Sequence, residues 1–358
     1  MSQKVRARGL GVPFEGVPGT LNAITDVPGV RVGQTTLVQD GKPDASDAVR
    51  TGVTAIFPKA RTERESVFAG WFRLNGFGEL TGTPWIDEAG LLDGPIVSTN
   101  SLSIGVAISA VIEYARKHGL PADRWNAPVV GETWDGHLND IRGAHVTRDD
   151  VLQALEMAKG GPVDEGNVGG GTGMICYEFK GGIGTASRLV GREEYHLGVL
   201  VQANCGRRPL LTVAGVPVGK EIPDERVRPE EVGSILGFVA TDAPLLPQQL
   251  QRLARRCSLG LARTGSIAAN QSGDLFLAFS TANEGQVEAQ PTRQITALAE
   301  EGMDPLFAAV AQATEEAIVN ALVAAETMVG VDHHRVLALP HARLQEALRK
   351  YGRLASTG

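Results

Sequence analysis

The sequence predicts a mixed fold of helices and sheets, α/β or α+β. Short apolar or β-branched runs bounded by Gly, Pro, Asp or Asn alternate with longer segments whose apolar residues recur at helical spacing. Several of the strand-like runs are β-branched or apolar at most positions instead of alternating, as expected of strands covered on both faces. No fixed-period repeat and no low-complexity tract competes with this reading.

From the N-terminus onward, residues 53–57 read as a strand, and residues 103–118 as a helix closed by Gly119. Thr147 and Asp150 form a capping-box pair ahead of Val151, Leu152, Leu155 and Met157, with Gly160 and Gly161 as the stop. Residues 197–203, 211–218, 235–240 and 275–280 read as further strands. Asp242 and Pro244 open a helix carrying Leu246, Leu250, Leu253, Cys257 and Leu261. Asp304 and Pro305 open a long Ala-rich helix through Leu322 to Met328, and residues 341–351 form the last helix before Gly352. One segment stands apart. Residues 220–231 (KEIPDERVRPEE) hold eight charged residues in twelve and two prolines, and predict an exposed, poorly ordered loop. It runs through Val232-Gly233-Ser234 straight into the apolar strand 235–240.

Composition narrows the function classes. At 358 residues, with 42% hydrophobic and 21% charged side chains, the chain is long enough for a sizeable core and too apolar for global disorder. Its net charge of −7 disfavours nucleic-acid backbones. Cys176, Cys205 and Cys257 are odd in number and lack CxxC spacing, which argues against a disulfide framework or a cysteine zinc site. The N-terminal stretch has no apolar h-region, and no run approaches 18 uninterrupted apolar residues. A cytoplasmic protein without a membrane partner is expected.

Glycine occurs 44 times, about one residue in eight, without a Gly-X-Y period. Gly169-x-Gly171-x-Gly173 invites a nucleotide-site reading, but the next residues, Met-Ile-Cys-Tyr-Glu-Phe, read as a strand and not the helix such a site needs. Tight turns and close backbone approach are the expected role. Asp332-His333-His334 invites a metal reading, yet adjacent side chains on a strand diverge and no HExxH accompanies them, so a solvated turn is expected. No GxSxG elbow is present. No metal or cofactor is expected.

Five separated blocks carry a more specific signal. They are Glu132-Thr133-Trp134-Asp135-Gly136, Val201-Gln202-Ala203-Asn204, Gly233-Ser234, the stretch 240–247 (ATDAPLLP) and the stretch 272–281 (SGDLFLAFST). In this order they resemble the L-aminopeptidase/D-esterase/amidase family, the self-processing serine aminopeptidases that include the β-aminopeptidases. The resemblance runs from residues 22–33 (NAITDVPGVRVG) to the Ala-rich helix at 316–328. It implies an α+β fold, a four-layer αββα sandwich of the type shared with ornithine acetyltransferase. It also implies a single catalytic domain cut by itself between Gly233 and Ser234 into residues 1–233 and 234–358. A homo-oligomer, with a tetramer favoured, is implied as well.

The residue types suit that chemistry. Serine is a poor nucleophile without a base, and an amide nitrogen cannot serve. Once cut, Ser234 would carry an α-amine of pKa about 7.7–8, near neutral pH where general bases work best. Gly233, without a Cβ, would leave its carbonyl open to attack. Ser272 and Asp274 are two apart, so an extended backbone puts both on one face, and the resemblance gives them the orienting of the nucleophile and its amine. Read alone, without the resemblance, the pair reads first as a Ser-Gly-Asp turn capping a strand.

The resemblance makes Asn204 the oxyanion-hole donor, and its amide NH₂ suits the task. It gives Glu132 the substrate's free α- or β-amine, where the plain alternative is a surface salt bridge. Trp134 stands where the family often has tyrosine; its indole N–H donates but cannot ionise as a phenol does. Asn100 is a further pocket candidate. The expected function is a cofactor-independent serine aminopeptidase or amidase, acting on short peptides, amides or esters with a free N-terminal amine. The rivals are an acyltransferase of the ornithine-acetyltransferase type, which typically has threonine as nucleophile, and a non-cleaving binding protein of the same fold.

Overall fold

A computed structural model describes residues 4–59, 66–119, 127–191, 194–227, 233–283, 292 and 294–355. Two sheets form its centre. The smaller runs β1 (Arg31–Gln39), β2 (Val49–Phe57), β5 (Ile96–Asn100), β6 (Val129–Thr133), with β5 and β6 parallel. The larger runs β4 (Leu91–Asp93), β3 (Ser66–Gly76), β12 (Ser272–Ser280), β11 (Gly233–Thr241), β10 (Tyr195–Asn204), β9 (Gly182–Val190). Its central β11–β12 pair is parallel and both flanking pairings, with β10 and β3, are antiparallel.

Three apolar clusters define the layers. Val32, Ile56, Ile96 and Val129 of the smaller sheet meet Leu200, Leu236, Phe238 and Leu277 of the larger one. The outer face of the smaller sheet packs Val53, Ala55 and Val97 against α2 (Ile104–Lys117) and α3 (Arg148–Glu156). The outer face of the larger sheet packs Val199, Ile235 and Phe276 against α5 (Pro247–Arg263) and α6 (Met303–Ala324). This is the four-layer αββα sandwich. It explains why every residue of β2, β11 and β12 is buried and why these runs do not alternate. The apolar stretch Glu300–Ala324 is long enough to cross a membrane, but 83% of its most apolar window is buried inside the protein, as expected of a core helix.

Smaller elements complete the chain: α1 (Thr83–Ala89), the hairpin β7 (Ile175–Cys176) and β8 (Phe179–Lys180), α4 (Val218–Glu221), the ribbon β13 (Met328–Val329) and β14 (Arg335–Val336), and α7 (His341–Lys350). The capping box of α3 is present as expected, with Thr147 Oγ1 accepting from Asp150 N.

Four expectations change. Residues 211–218 are not a strand. Leu211, Val213, Val216 and Val218 are fully buried, but Ala214 and Gly215 take positive φ and close a turn in which Val213 and Val216 bond each other. A buried irregular segment is as apolar as a strand, so composition alone does not separate them. The helix expected from Asp242 begins at Pro247, because Asp242 instead accepts from the backbone and ring of His196. The long helix ends at Ala324, and Met328 belongs to β13. The run after Gly173 is no single strand either: Tyr177 and Glu178 at φ 50° and 60° fold it into the β7–β8 hairpin.

In the charged loop, α4 takes up Lys220 and Glu221, Ile222 is buried, and residues 223–226 are exposed. Residues 228–232 lie outside the described residues. Asp332-His333-His334 is a turn, with His334 stacked on His137 at 4.4 Å; among the described residues no group of three ligating side chains surrounds it.

Candidate active site

Ser234 is the second residue of β11, 5% exposed. It pairs with Asn204 on one side and with Gly273 on the other. Residues directly opposed across a sheet share a face. Ser234 and Asn204 therefore face the smaller sheet, as Leu236 and Leu200 do. The Gly273 N–H donates to Ser234 Oγ at 3.3 Å.

Ser272 and Asp274 lie in β12, and Ser272 Oγ donates to Asp274 Oδ1 at 2.6 Å. The pair does share one face, as period-2 geometry predicts. That face is the opposite one: Ser272 pairs with Gly233, and Asp274 with Ile235, whose side chain belongs to the helix-side core. The structure thus puts the pair beside the Gly233–Ser234 peptide and not on the Ser234 hydroxyl. Gly233 itself is sterically required, because a Cβ there would lie 1.9 Å from the Asn204 carbonyl oxygen.

The Asn204 side chain is fixed at both ends. Its Oδ1 accepts from Ile175 N at 2.8 Å, and its Nδ2 donates to the Trp134 carbonyl at 2.9 Å. Ile175 sits in the β7–β8 hairpin, which Lys180 ties down. The fully buried Lys180 Nζ donates to the carbonyls of Met174, Gly181 and Gly171 at 2.6, 2.9 and 3.3 Å. Burial pushes its pKa down to about 7, with Cys176 and Asp135 opposing the fall. The glycine-rich stretch is the seam where the two sheets meet: a Cβ on Gly170 would lie 2.1 Å from Gln202 Oε1 of β10 and 2.8 Å from the Ser98 carbonyl of β5. It is scaffold, as the sequence leads one to expect, and the scaffold carries the hairpin behind Asn204.

Ser234 opens on a cavity of about 520 Å³. Phe77 and Glu79, after β3, form one wall; Ser101 and Ile104, at the start of α2, form another; Glu132 and Trp134 lie at the end of β6, and Gln271 precedes β12. The Phe77 loop is tied to β12 by Phe77 N donating to the Ser272 carbonyl at 3.3 Å. Glu132 is 6% exposed. Its carboxylate accepts from Ser101 Oγ and, at 3.0 Å, from Glu79 N. Burial raises its pKa; these two donors oppose the rise, and the nearby Glu79 charge adds to it.

Asn100 does not reach the cavity. Its Nδ2 donates to Thr51 Oγ1 at 2.8 Å and its Oδ1 accepts from Leu102 N, behind the wall that its neighbour Ser101 forms. With Thr51 and Asn139 it surrounds the fully buried Asp135, whose pKa burial raises to about 7 against their hydrogen bonds. Glu79, Ser101 and Lys180 are the site residues that sequence reasoning missed.

The arrangement is that of a serine hydrolase: a hydroxyl at the end of a strand, an amide donor sharing its face, and a carboxylate on the wall of the same cavity. Peptidase family S58 matches residues 22–336, and the chain belongs to that family. It is a serine aminopeptidase of the N-terminal-nucleophile type. It is 48% identical to β-peptidyl aminopeptidase BapA of Sphingosinicella microcystinivorans, over 98% of this chain and 93% of that one. The L-aminopeptidase D-Ala-esterase/amidase of Ochrobactrum anthropi, described as a prototype serine aminopeptidase and a variant of the Ntn hydrolase fold, superposes with a TM-score of 0.93 at 48% identity. The match covers 98% of this chain and 99% of that one. A β-aminopeptidase from Burkholderia sp. superposes at 0.91, also at 48% identity, covering 97% and 99%.

Proposed function

We propose that the chain cuts itself between Gly233 and Ser234 and then hydrolyses short peptides, amides or esters that carry a free α- or β-amine. The observation that carries this reading is one cavity holding the Ser234 hydroxyl and the Glu132 carboxylate, with Asn204 on the serine's face. In the cut, Ser234 Oγ adds to the Gly233 carbonyl carbon, the C–N bond gives way to an ester, and water releases residues 1–233. Ser234 then holds an α-amine.

In turnover the substrate ammonium binds Glu132, and the Ser234 amine takes the proton of its own hydroxyl. Oγ attacks the acyl carbon, and the developing oxyanion is met by the Asn204 amide. As the intermediate collapses, the leaving group takes the proton. Water hydrolyses the acyl-enzyme with the same amine as base. Ser272 and Asp274, beside the scissile peptide, accept from the new ammonium and hold it in place. Both amine classes stay in the reading because relatives named for β-peptidyl and for L-aminopeptidase activity are equally similar to this chain. The processed protein is proposed to be a cytoplasmic homo-oligomer, in keeping with its three free cysteines and its family.

The test is Ser234→Ala. It should leave the chain uncut and lower hydrolysis of alanine p-nitroanilide by about 10⁴-fold or more. Wild-type turnover by that variant contradicts the reading.

A further inference from the structure

The charges on the cavity wall are one-sided. Glu132 and Glu79 are both present, and among the described lining residues there is no Lys, Arg or His. The two carboxylates have different situations. Glu132 is buried and hydrogen-bonded on both oxygens. Glu79 is exposed, and its own backbone N–H is one of the donors to Glu132. The main chain that carries Glu79 is therefore bonded to the amine-binding carboxylate, and the Glu79 charge lies near enough to add to the rise in its pKa. The remaining wall is apolar or neutral: Phe77, Ile104, Trp134 and Gln271.

We propose that Glu79 is a specificity-determining residue that makes the site reject substrates with a free carboxylate next to the scissile bond. The favoured class is amino-acyl amides, esters and peptides whose C-terminus is capped or remote. Free dipeptides and acidic acyl side chains are disfavoured. The proposal rests on the reading in which Glu132 binds the substrate amine and Ser234 attacks.

A dipeptide anchored through its ammonium at Glu132 places its terminal carboxylate within about 4 Å of the scissile carbon. That carboxylate must give up water inside a cavity that offers no cation in return. It also adds to the negative charge that Glu79 and Glu132 already place on the cavity wall. An amide cap removes the charge and keeps the shape. Selectivity of this kind comes from repulsion of the wrong substrate and not from added contacts with the right one.

The experiment compares alanyl-alanine with alanyl-alanine amide, which share one scissile bond, on the processed enzyme. The expected ratio of kcat/KM, amide over free acid, is at least tenfold. Glu79→Gln should reduce it several-fold, and Glu79→Lys should bring it to about one or invert it. Because the Glu79 side chain is exposed, both variants should keep the wild-type melting temperature. The difference in leaving-group basicity between the two substrates is independent of residue 79, so the change of ratio among the variants isolates the charge. A wild-type ratio within twofold of one, or a ratio that both variants leave unchanged, overturns the proposal. Failure of the underlying site reading looks different: Glu132→Gln would then weaken free-amine and N-acetylated substrates equally.

Discussion

Two buried carboxylates in this molecule have opposite surroundings. Glu316 on α6 is fully buried and closed in by cations: Arg8 meets it with two bonds of 2.8 Å, Arg188 with one of 2.8 Å, and Asn22 adds a fourth at 2.6 Å. Burial pushes its pKa up, but Arg8 and Arg188 outweigh that and hold it below the usual range. Glu132 is nearly as buried and has two neutral donors, with a second negative charge nearby and a pKa raised by burial. One carboxylate has found its counter-ions within the chain. The other faces an open cavity, and in the proposed function the substrate's ammonium supplies its counter-ion. A buried charge marks a site when its balance is left to a ligand.

The sharpest way to break the comparison is to neutralise each carboxylate in turn. Glu316→Gln leaves the buried Arg188 guanidinium without its paired carboxylate, and should cost about 3–5 kcal/mol of stability, read by urea unfolding. Any loss of activity should track the unfolded fraction and not the substrate. Glu132→Gln should leave the unfolding midpoint near wild type. It should lower kcat/KM on free-amine substrates by about 10–100-fold, the worth of one charged hydrogen bond, and spare N-blocked ones. If the two variants exchange these behaviours, the assignment of structural and functional carboxylates is wrong.

A smaller effect is expected behind Asn204, the proposed oxyanion donor. Lys180→Met removes the three-carbonyl clamp on the hairpin that positions Asn204. It should lower kcat by about tenfold with KM unchanged, a fraction of what loss of an oxyanion donor itself costs. A rise in KM at constant kcat would place Lys180 in substrate binding instead.

The smallest effects are in pH dependence. Glu316 has a lowered pKa, so its contribution is present above the ordinary value of 4.5 and is lost as pH falls through its folded pKa. Glu132 has a raised pKa, so between 4.5 and its folded value the native state holds the proton that the unfolded chain has released; stability falls as pH rises there. Subtracting each Gln variant's stability curve from wild type should give slopes of opposite sign. Wild-type KM for free-amine substrates should also rise as pH falls through the raised pKa of Glu132, since a neutral carboxyl binds an ammonium weakly. Slopes of the same sign would undo the contrast.

Much of this is legible in the chain. The capping box of α3 and the mostly apolar runs within β2, β10, β11 and β12 carry their own local signals. Ser234, Asn204, Glu132 and Trp134 stand out through blocks of sequence that recur together, and all four meet at or beside one cavity. The face that Ser272 and Asp274 share comes from period 2. Which face it is relative to Ser234 depends on the β11–β12 register, which no local pattern encodes. Glu79 and Ser101 reach Glu132 across 53 and 31 residues of chain, and Lys180 acts through backbone carbonyls of a hairpin. The first two contacts exist only once the chain has folded, and the third only once the hairpin has closed. Gly233 shows the same limit: its missing side chain reads as exposure of a carbonyl, and the fold adds that the Asn204 oxygen leaves no room for a Cβ.

Everything proposed for catalysis depends on Ser234 becoming a nucleophile by becoming an N-terminus. Intact mass and N-terminal sequencing of the purified protein after prolonged incubation read this out. Two chains of 233 and 125 residues are expected, about 25 and 13 kDa of the 37.8 kDa total, the smaller beginning Ser234-Ile235-Leu236. A single uncut 37.8 kDa chain that hydrolyses alanine p-nitroanilide would contradict it.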